Sequence, residues 1–408
     1  MAILNSSSFI SFVAISILAS SLVACTGDES SAFSDLSKAD RELTSEQLLG
    51  KLLFEDTNLS EPHGQACASC HVAKAAFTGD DGSSVDGVAA GAVKGVTGTR
   101  NTQTAAYAMF SPPFHFEAVL EDGVLEYIPM GGQFWDGRAD TLADQAKQPL
   151  LNPREMNNPS VAAVVAKVRA ARYASLFTSV YGADALNDDA VAYDLLARAI
   201  AAFEQTPRFR RFSSAFDDYL RGVAQLSSKA ARGFELFKDP EKGNCIACHV
   251  GNEASTDPQQ WLFTDFTYDN LGVPRNTAIT DNADPTFFDL GLCRQPGLTA
   301  KAPEGFDIES LCGAFKVPTL RNVAVTGPYT HNGYFKTLRD VVAFYATRDT
   351  NPERWYPNGV KFDDLPDVYR GNVNQSEPPY DRLLGETPRL TDDEIDAIVA
   401  FLESLTDR

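Results

Sequence analysis

The chain has 408 residues, of which 44% are hydrophobic and 22% charged, ordinary globular values that exclude wholesale disorder. Its 35 basic and 55 acidic side chains give a net charge of −20, a field that repels nucleic acid and anionic lipid. The length is a soft indication of two domains.

Residues 9–24 (FISFVAISILASSLVA) form an apolar run too short to span a bilayer comfortably. Small residues lie near its end, as in a secretory signal, although residues 1–24 carry no Lys or Arg. Leu22-Val23-Ala24-Cys25 resembles a bacterial lipobox, which makes Cys25 the expected lipid anchor and mature N-terminus. Residues 25–43 are polar and read as a flexible tether. The chain is therefore expected in the bacterial periplasm or cell envelope, where free thiols are uncommon.

Thr44-Ser45-Glu46-Gln47 has capping-box spacing and precedes Leu48, Leu49, Leu52 and Leu53, so a helix is expected from about Thr44. Residues 79–100 are rich in Gly and Val and irregular. Residues 160–206 give two helical patterns, the first with Val161, Val164, Val165, Val168 and Tyr173 as its buried stripe. The segment LSSKAARGFELFK gives another. A last helix follows the capping box Thr391-Asp392-Asp393-Glu394 and buries Ile395, Ile398, Val399 and Leu402. Few segments alternate with period two. The expected fold is mainly α, with long loops and little β structure.

One arrangement occurs twice. LLGKLLFED leads to Cys67-Ala68-Ser69-Cys70-His71, and ARGFELFKD leads to Cys245-Ile246-Ala247-Cys248-His249. This points to two related domains, 44–220 and 221–408. Cys-x-x-Cys-His is the c-type haem attachment motif. Its two thiols form thioethers to the porphyrin, and the adjacent histidine reaches the iron. A redox dithiol would not need the histidine, and zinc would need further ligands. The remaining histidines, His63, His115 and His331, and the methionines Met109, Met130 and Met156 do not by spacing reveal a sixth ligand.

The block Phe134-Trp135-Asp136-Gly137-Arg138 is followed by Gln145, Pro149 and Asn152-Pro153-x-Glu155-Met156. With HGQACASCH, Arg100-Asn101-Thr102, NLGVP at 270–274 and VPTLRNVAVTGPYTHNG at 317–333, it resembles the bacterial di-haem cytochrome c peroxidase and MauG superfamily over most of 45–405. The resemblance implies two c-type cytochrome domains with two covalently bound haems, held by Cys67, Cys70 and His71 and by Cys245, Cys248 and His249. It implies a calcium ion held by Asn101, Thr326 and Pro328. Trp135 is implied as the electron relay, with Gln145, Pro149 and Glu155 in the first haem's distal pocket and Glu155 as the acid–base group for peroxide cleavage. The implied partners are hydrogen peroxide and either a small electron-donor protein, a cytochrome c or cupredoxin, or a substrate protein.

Two departures sharpen this. The stretch GAVKGVTGTRN lacks the histidine that reductively activated peroxidases carry, so the first haem is expected open. Tyr345 stands seventeen residues after Pro328, where those peroxidases have methionine and MauG-like members tyrosine. His249 and Tyr345 are thus the expected ligands of the second iron, and a hard phenolate favours its higher oxidation states. His115, in the long link 111–133, is read as a loop or pocket-wall residue. Cys293 and Cys312 are expected to form a disulfide, which leaves no free thiol for catalysis. Peroxidase action, MauG-like oxidation of aromatic residues on a partner protein, and a non-enzymatic electron-transfer cytochrome all remain open at this point.

Overall fold

The computed structural model describes residues 37–79, 84–85, 87–121 and 123–408. The signal segment 1–24, Cys25 and most of the tether lie outside the described residues. Residues 42–408 form one compact unit. The described residues before it, 37–41, make a turn in which Asp40 N donates to Ser37 O at 3.0 Å.

Eight helices of eight or more residues frame the described part of the chain: α1 Ser45–Phe54, α2 Leu142–Leu151, α3 Val161–Ala170, α4 Ala174–Tyr181, α5 Asp189–Glu204, α6 Ser228–Lys238, α7 Leu338–Thr347 and α8 Asp392–Glu403. Thr44 and Thr391 cap α1 and α8, each with both bonds of the capping box made. Such a cap stabilises its helix by about 1 kcal/mol. The single helix expected over 160–182 is two, because Ala171 turns extended (φ −74°, ψ 151°). The break lets Tyr173 bury its ring and donate its hydroxyl to Asp56 Oδ2 at 2.6 Å. Periodicity alone does not encode that bend.

The sequence repeat has a packing reason. Gly50 in LLGKLLFED and Gly233 in ARGFELFKD are each the point where two helices meet. A Cβ at Gly50 would lie 1.9 Å from Ala199 O of α5, and one at Gly233 would lie 1.9 Å from Ala397 O of α8. Only glycine allows these backbones to approach so closely.

The buried apolar side chains fall into two main clusters. The first draws on residues 49–212, including Leu53, Val164, Leu196 and Phe203. The second draws on residues 216–405, including Phe237, Phe263, Phe344 and Phe401. A small third cluster joins Phe114 to Leu292, Leu298 and Ala314. The Cys293–Cys312 disulfide closes this last region with an S–S distance of 2.12 Å.

The fold is mainly helical, as the sequence implies. One segment differs. The link 111–133 contains an antiparallel hairpin, strand β1 (His115–Glu121) paired with β2 (Val124–Met130) in register from His115↔Met130 to Glu121↔Val124. The cause is legible afterwards: Asp122-Gly123 between two alternating runs is a strong two-residue hairpin signal. No helix among the described residues is long and apolar enough to cross a membrane.

Candidate active site

Both Cys-x-x-Cys-His segments open onto cavities. The first cavity, about 700 Å³, is walled by Cys67, Cys70 and His71. The second, about 190 Å³, is walled by Cys245, Cys248 and His249. His71 Nδ1 lies 2.9 Å from Phe77 O, and His249 Nδ1 lies 3.0 Å from Phe263 O. A carbonyl can only accept, so each Nδ1 carries the proton and each Nε2 keeps its lone pair for a metal. Burial holds both rings neutral, with His249 lowered to about 4.

This chemistry separates haem from its rivals. Burial pushes the Cys67, Cys245 and Cys248 thiols up, the opposite of a reactive dithiol. Among the described residues, the one cluster of three metal-type side chains is Cys248, Asp269 and Glu377, so neither cysteine pair converges with its histidine on a single ion. Thioether attachment needs neither thiolates nor convergence. The residues fit two c-type haems.

The first cavity brings together the rest of the expected set. Gln145 and Pro149 project from α2, and Glu155 from the turn after it, all onto the wall shared with Cys67 and His71. Pro149 lacks an N–H, so the helical bond to the Gln145 carbonyl is missing. Burial raises the Glu155 pKa, against the opposing pull of Arg138 and a hydrogen bond from Asn152. Asn101, Thr326 and Pro328 line the same cavity. The Asn101 carboxamide donates through Nδ2 to Pro328 O at 2.6 Å. These donors suit calcium provided the carboxamide presents Oδ1 instead, since calcium takes hard oxygens.

Trp135 lines both cavities. Its Nε1 donates to Asn101 O at 2.8 Å, and its carbonyl accepts from Lys316 N at 2.8 Å. Tyr345 projects from α7 into the second cavity, its ring 6.0 Å from that of Tyr380. Burial first, and Asp269 next, raise its pKa, so only a strong cation such as iron would draw the phenolate form.

His115 is not in either cavity wall. Its Nδ1 lies 2.9 Å from Pro113 O and its Nε2 3.4 Å from Glu117, at the root of the hairpin. His331 does line the second cavity, stacked on Phe315 at 3.6 Å. Met156 lines the first.

Three features escape the sequence. Arg100 grips Asp289 through two bonds (2.6 and 2.8 Å) and Asp136 through a third (2.7 Å), tying the Trp135 block to the second half of the chain. Lys316, buried and lowered to about 8 by that burial, lines both cavities and donates to Gly132 O at 2.5 Å. Glu204, at the end of α5, reaches the first cavity with Oε2 unpartnered, and burial raises it to about 8. Each partner lies far off in sequence, and a lone acid ending an apolar helix carries no local signal.

A family model described as di-haem cytochrome c peroxidase matches residues 44–225. The chain is 38% identical over 371 residues to the methylamine utilization protein MauG of Paracoccus denitrificans, covering 88% of each. It is 28% identical over 309 residues to the cytochrome c551 peroxidase of Nitrosomonas europaea, covering 75% of this chain and 74% of that one. The solved structure of the diheme peroxidase BthA from Burkholderia thailandensis superposes with a TM-score of 0.83 at 40% identity, covering 90% of this chain and 86% of that one. With two haem-type cavities joined by one tryptophan, the chain belongs to the di-haem cytochrome c peroxidase and MauG family.

Proposed function

We propose that the chain cleaves hydrogen peroxide in the first cavity and draws the electrons from a protein partner by way of Trp135 and the second cavity. The class of reaction is the family's: a peroxide-dependent di-haem oxidoreductase. The carrying observation is the convergence of Glu155, Gln145 and Pro149 on the wall that holds Cys67, Cys70 and His71.

Cys67, Cys70 and His71 would hold one haem, and Cys245, Cys248, His249 and Tyr345 the other. When bound, each supplies an iron centre able to exchange electrons. The protein's own work is proton handling and placement. Glu155 takes the proton from one peroxide oxygen and returns it to the departing one. Its burial suits that task by keeping its pKa above the ordinary range. Gln145 orients the peroxide by hydrogen bonding, and Pro149 adds apolar wall. The Trp135 indole is fixed by its bond to Asn101 O. Asn101, Thr326 and Pro328 would hold calcium beside it. The two main cores support a reading as two haem domains, expected at 44–220 and 221–408, with the join moved to about 213–215 because Phe216 already packs in the second core. Cys25 is the lipid anchor of an exported chain, and the donor is a cytochrome c or cupredoxin.

Tyr345 in the second cavity favours a second reading, MauG-like oxidation of aromatic residues on a partner protein. The ferric spectrum tests the enzyme against an inert electron-transfer cytochrome. We expect a high-spin signal that changes on stoichiometric peroxide. Two low-spin haems that ignore peroxide would overturn the reading.

A further inference from the structure

The outer half of the β1–β2 hairpin is apolar on one face and uncovered. Its register sets Phe116, Ala118 and Leu120 opposite Pro129, Tyr127 and Leu125 on that face. At the root the face is packed: the Phe116 ring meets Phe306 edge-on at 4.9 Å, and Pro129 is buried. Further out the packing ends. Leu120 is 74% exposed and Leu125 55%. Two strands have no core of their own, so an apolar face left in water points to a partner.

Charge decides which partner. Residues 115–130 contain Glu117, Glu121, Asp122 and Glu126 and no Lys or Arg. A second copy would bring one acid-only ribbon against another, on a chain already at −20. Glu117 and Glu126 alternate with the apolar residues and so lie on the ribbon's other face, one strand's thickness from Leu120 and Leu125. A protein whose apolar contact is flanked by lysine or arginine long enough to reach round this thin ribbon complements both faces. The hairpin root also continues directly into the Trp135 block: Gly131 N donates to Phe266 O at 2.9 Å, four residues before Trp135.

We infer that the exposed face of the hairpin, centred on Leu120 and Leu125, is the docking surface for a cationic redox protein that supplies the electrons. This rests on the peroxidase reading above. No covalent step is involved: the hairpin captures the donor on the element whose root, about six extended residues or ~20 Å away, runs into the Trp135 block.

The test uses the holoprotein and a lysine-rich ferrocytochrome c as probe. Two variants are compared with wild type: Leu120→Ser with Leu125→Ser, and Glu117→Gln with Glu126→Gln. Cytochrome binding is followed by calorimetry, and peroxide turnover with the cytochrome and with the small dye ABTS. We expect the Kd and KM for the cytochrome to rise at least about tenfold, a loss of about 1.4 kcal/mol, while dye turnover and haem spectra stay unchanged. Unchanged cytochrome binding in both variants would overturn the inference. So would a wild type that does not bind the cytochrome, or one that is a dimer which the leucine variant converts to monomer. Loss of dye turnover in wild type counts against the peroxidase reading instead, and the binding measurement still decides the hairpin.

Discussion

The Trp135 indole donates its Nε1–H to the main-chain oxygen of Asn101 at 2.8 Å, and the Asn101 side chain lies 2.6 Å from Pro328 O. One residue thus couples the aromatic link between the cavities to the proposed calcium site. Trp135→Phe keeps a ring but removes the donor, leaving Asn101 O in a partly buried site without its partner. We expect a stability loss of about 1 kcal/mol with both haems still attached. Stopped-flow spectra after stoichiometric peroxide should show slower exchange between the haems. Chelation with EGTA should slow the wild type similarly and add little to the variant. Additive effects of chelation and substitution would show that Asn101 does not couple them.

Glu155→Gln preserves the shape of the first cavity and removes its proposed acid–base group. Peroxide turnover should fall by roughly 10²–10⁴-fold, the usual contribution of a positioned acid or base. The sign of the pH dependence follows from burial. The first proton is accepted only by the carboxylate, so the rate falls on the acid side. Burial raises the pKa, so the midpoint lies above the ordinary 4.5. The glutamine variant should lack that limb. A wild-type profile flat through this range would remove Glu155 from the proton path.

The sequence carried the haem sites because their chemistry is local: two thiols and a histidine within five residues. The helix caps at Thr44 and Thr391 were legible for the same reason. The Trp135 block and Glu155 were readable only through resemblance, since nothing in their spacing says which cavity they face. Gly50 and Gly233 sat in view inside the repeat, but their role depends on Ala199 and Ala397, well over a hundred residues away. The Arg100–Asp289 pair spans 189 residues and has no sequence signature. The hairpin has a local signal of its own, Asp122-Gly123 between two alternating runs.

Tyr345→Met tests the second cavity. A thioether favours the reduced iron that a phenolate oxygen disfavours. The potential of the haem proposed at Cys245 and Cys248 should rise, and its ferric spectrum should change, while the other haem keeps its own. Spectroelectrochemical titration of both haems reads this directly. An unchanged spectrum would show that Tyr345 is a core aromatic beside Tyr380 and not a ligand.

Glu204 is expected to make stability depend on pH. Its carboxyl is buried, its Oε2 has no partner, and its pKa is pushed up to about 8 from an ordinary 4.5. Above pH 4.5 the unfolded chain releases this proton while the folded chain keeps it. The folded state is therefore favoured fully below 4.5 and loses that advantage as pH rises toward 8. The linked change is on the order of 5 kcal/mol. Glutamine has the same shape and no charge to bury, so Glu204→Gln should remove the dependence. Thermal unfolding followed by circular dichroism at pH 5 and pH 8 should show the wild type losing more stability than the variant between the two. Parallel losses would mean that Glu204 finds a partner in the cavity that keeps its ionised form stable.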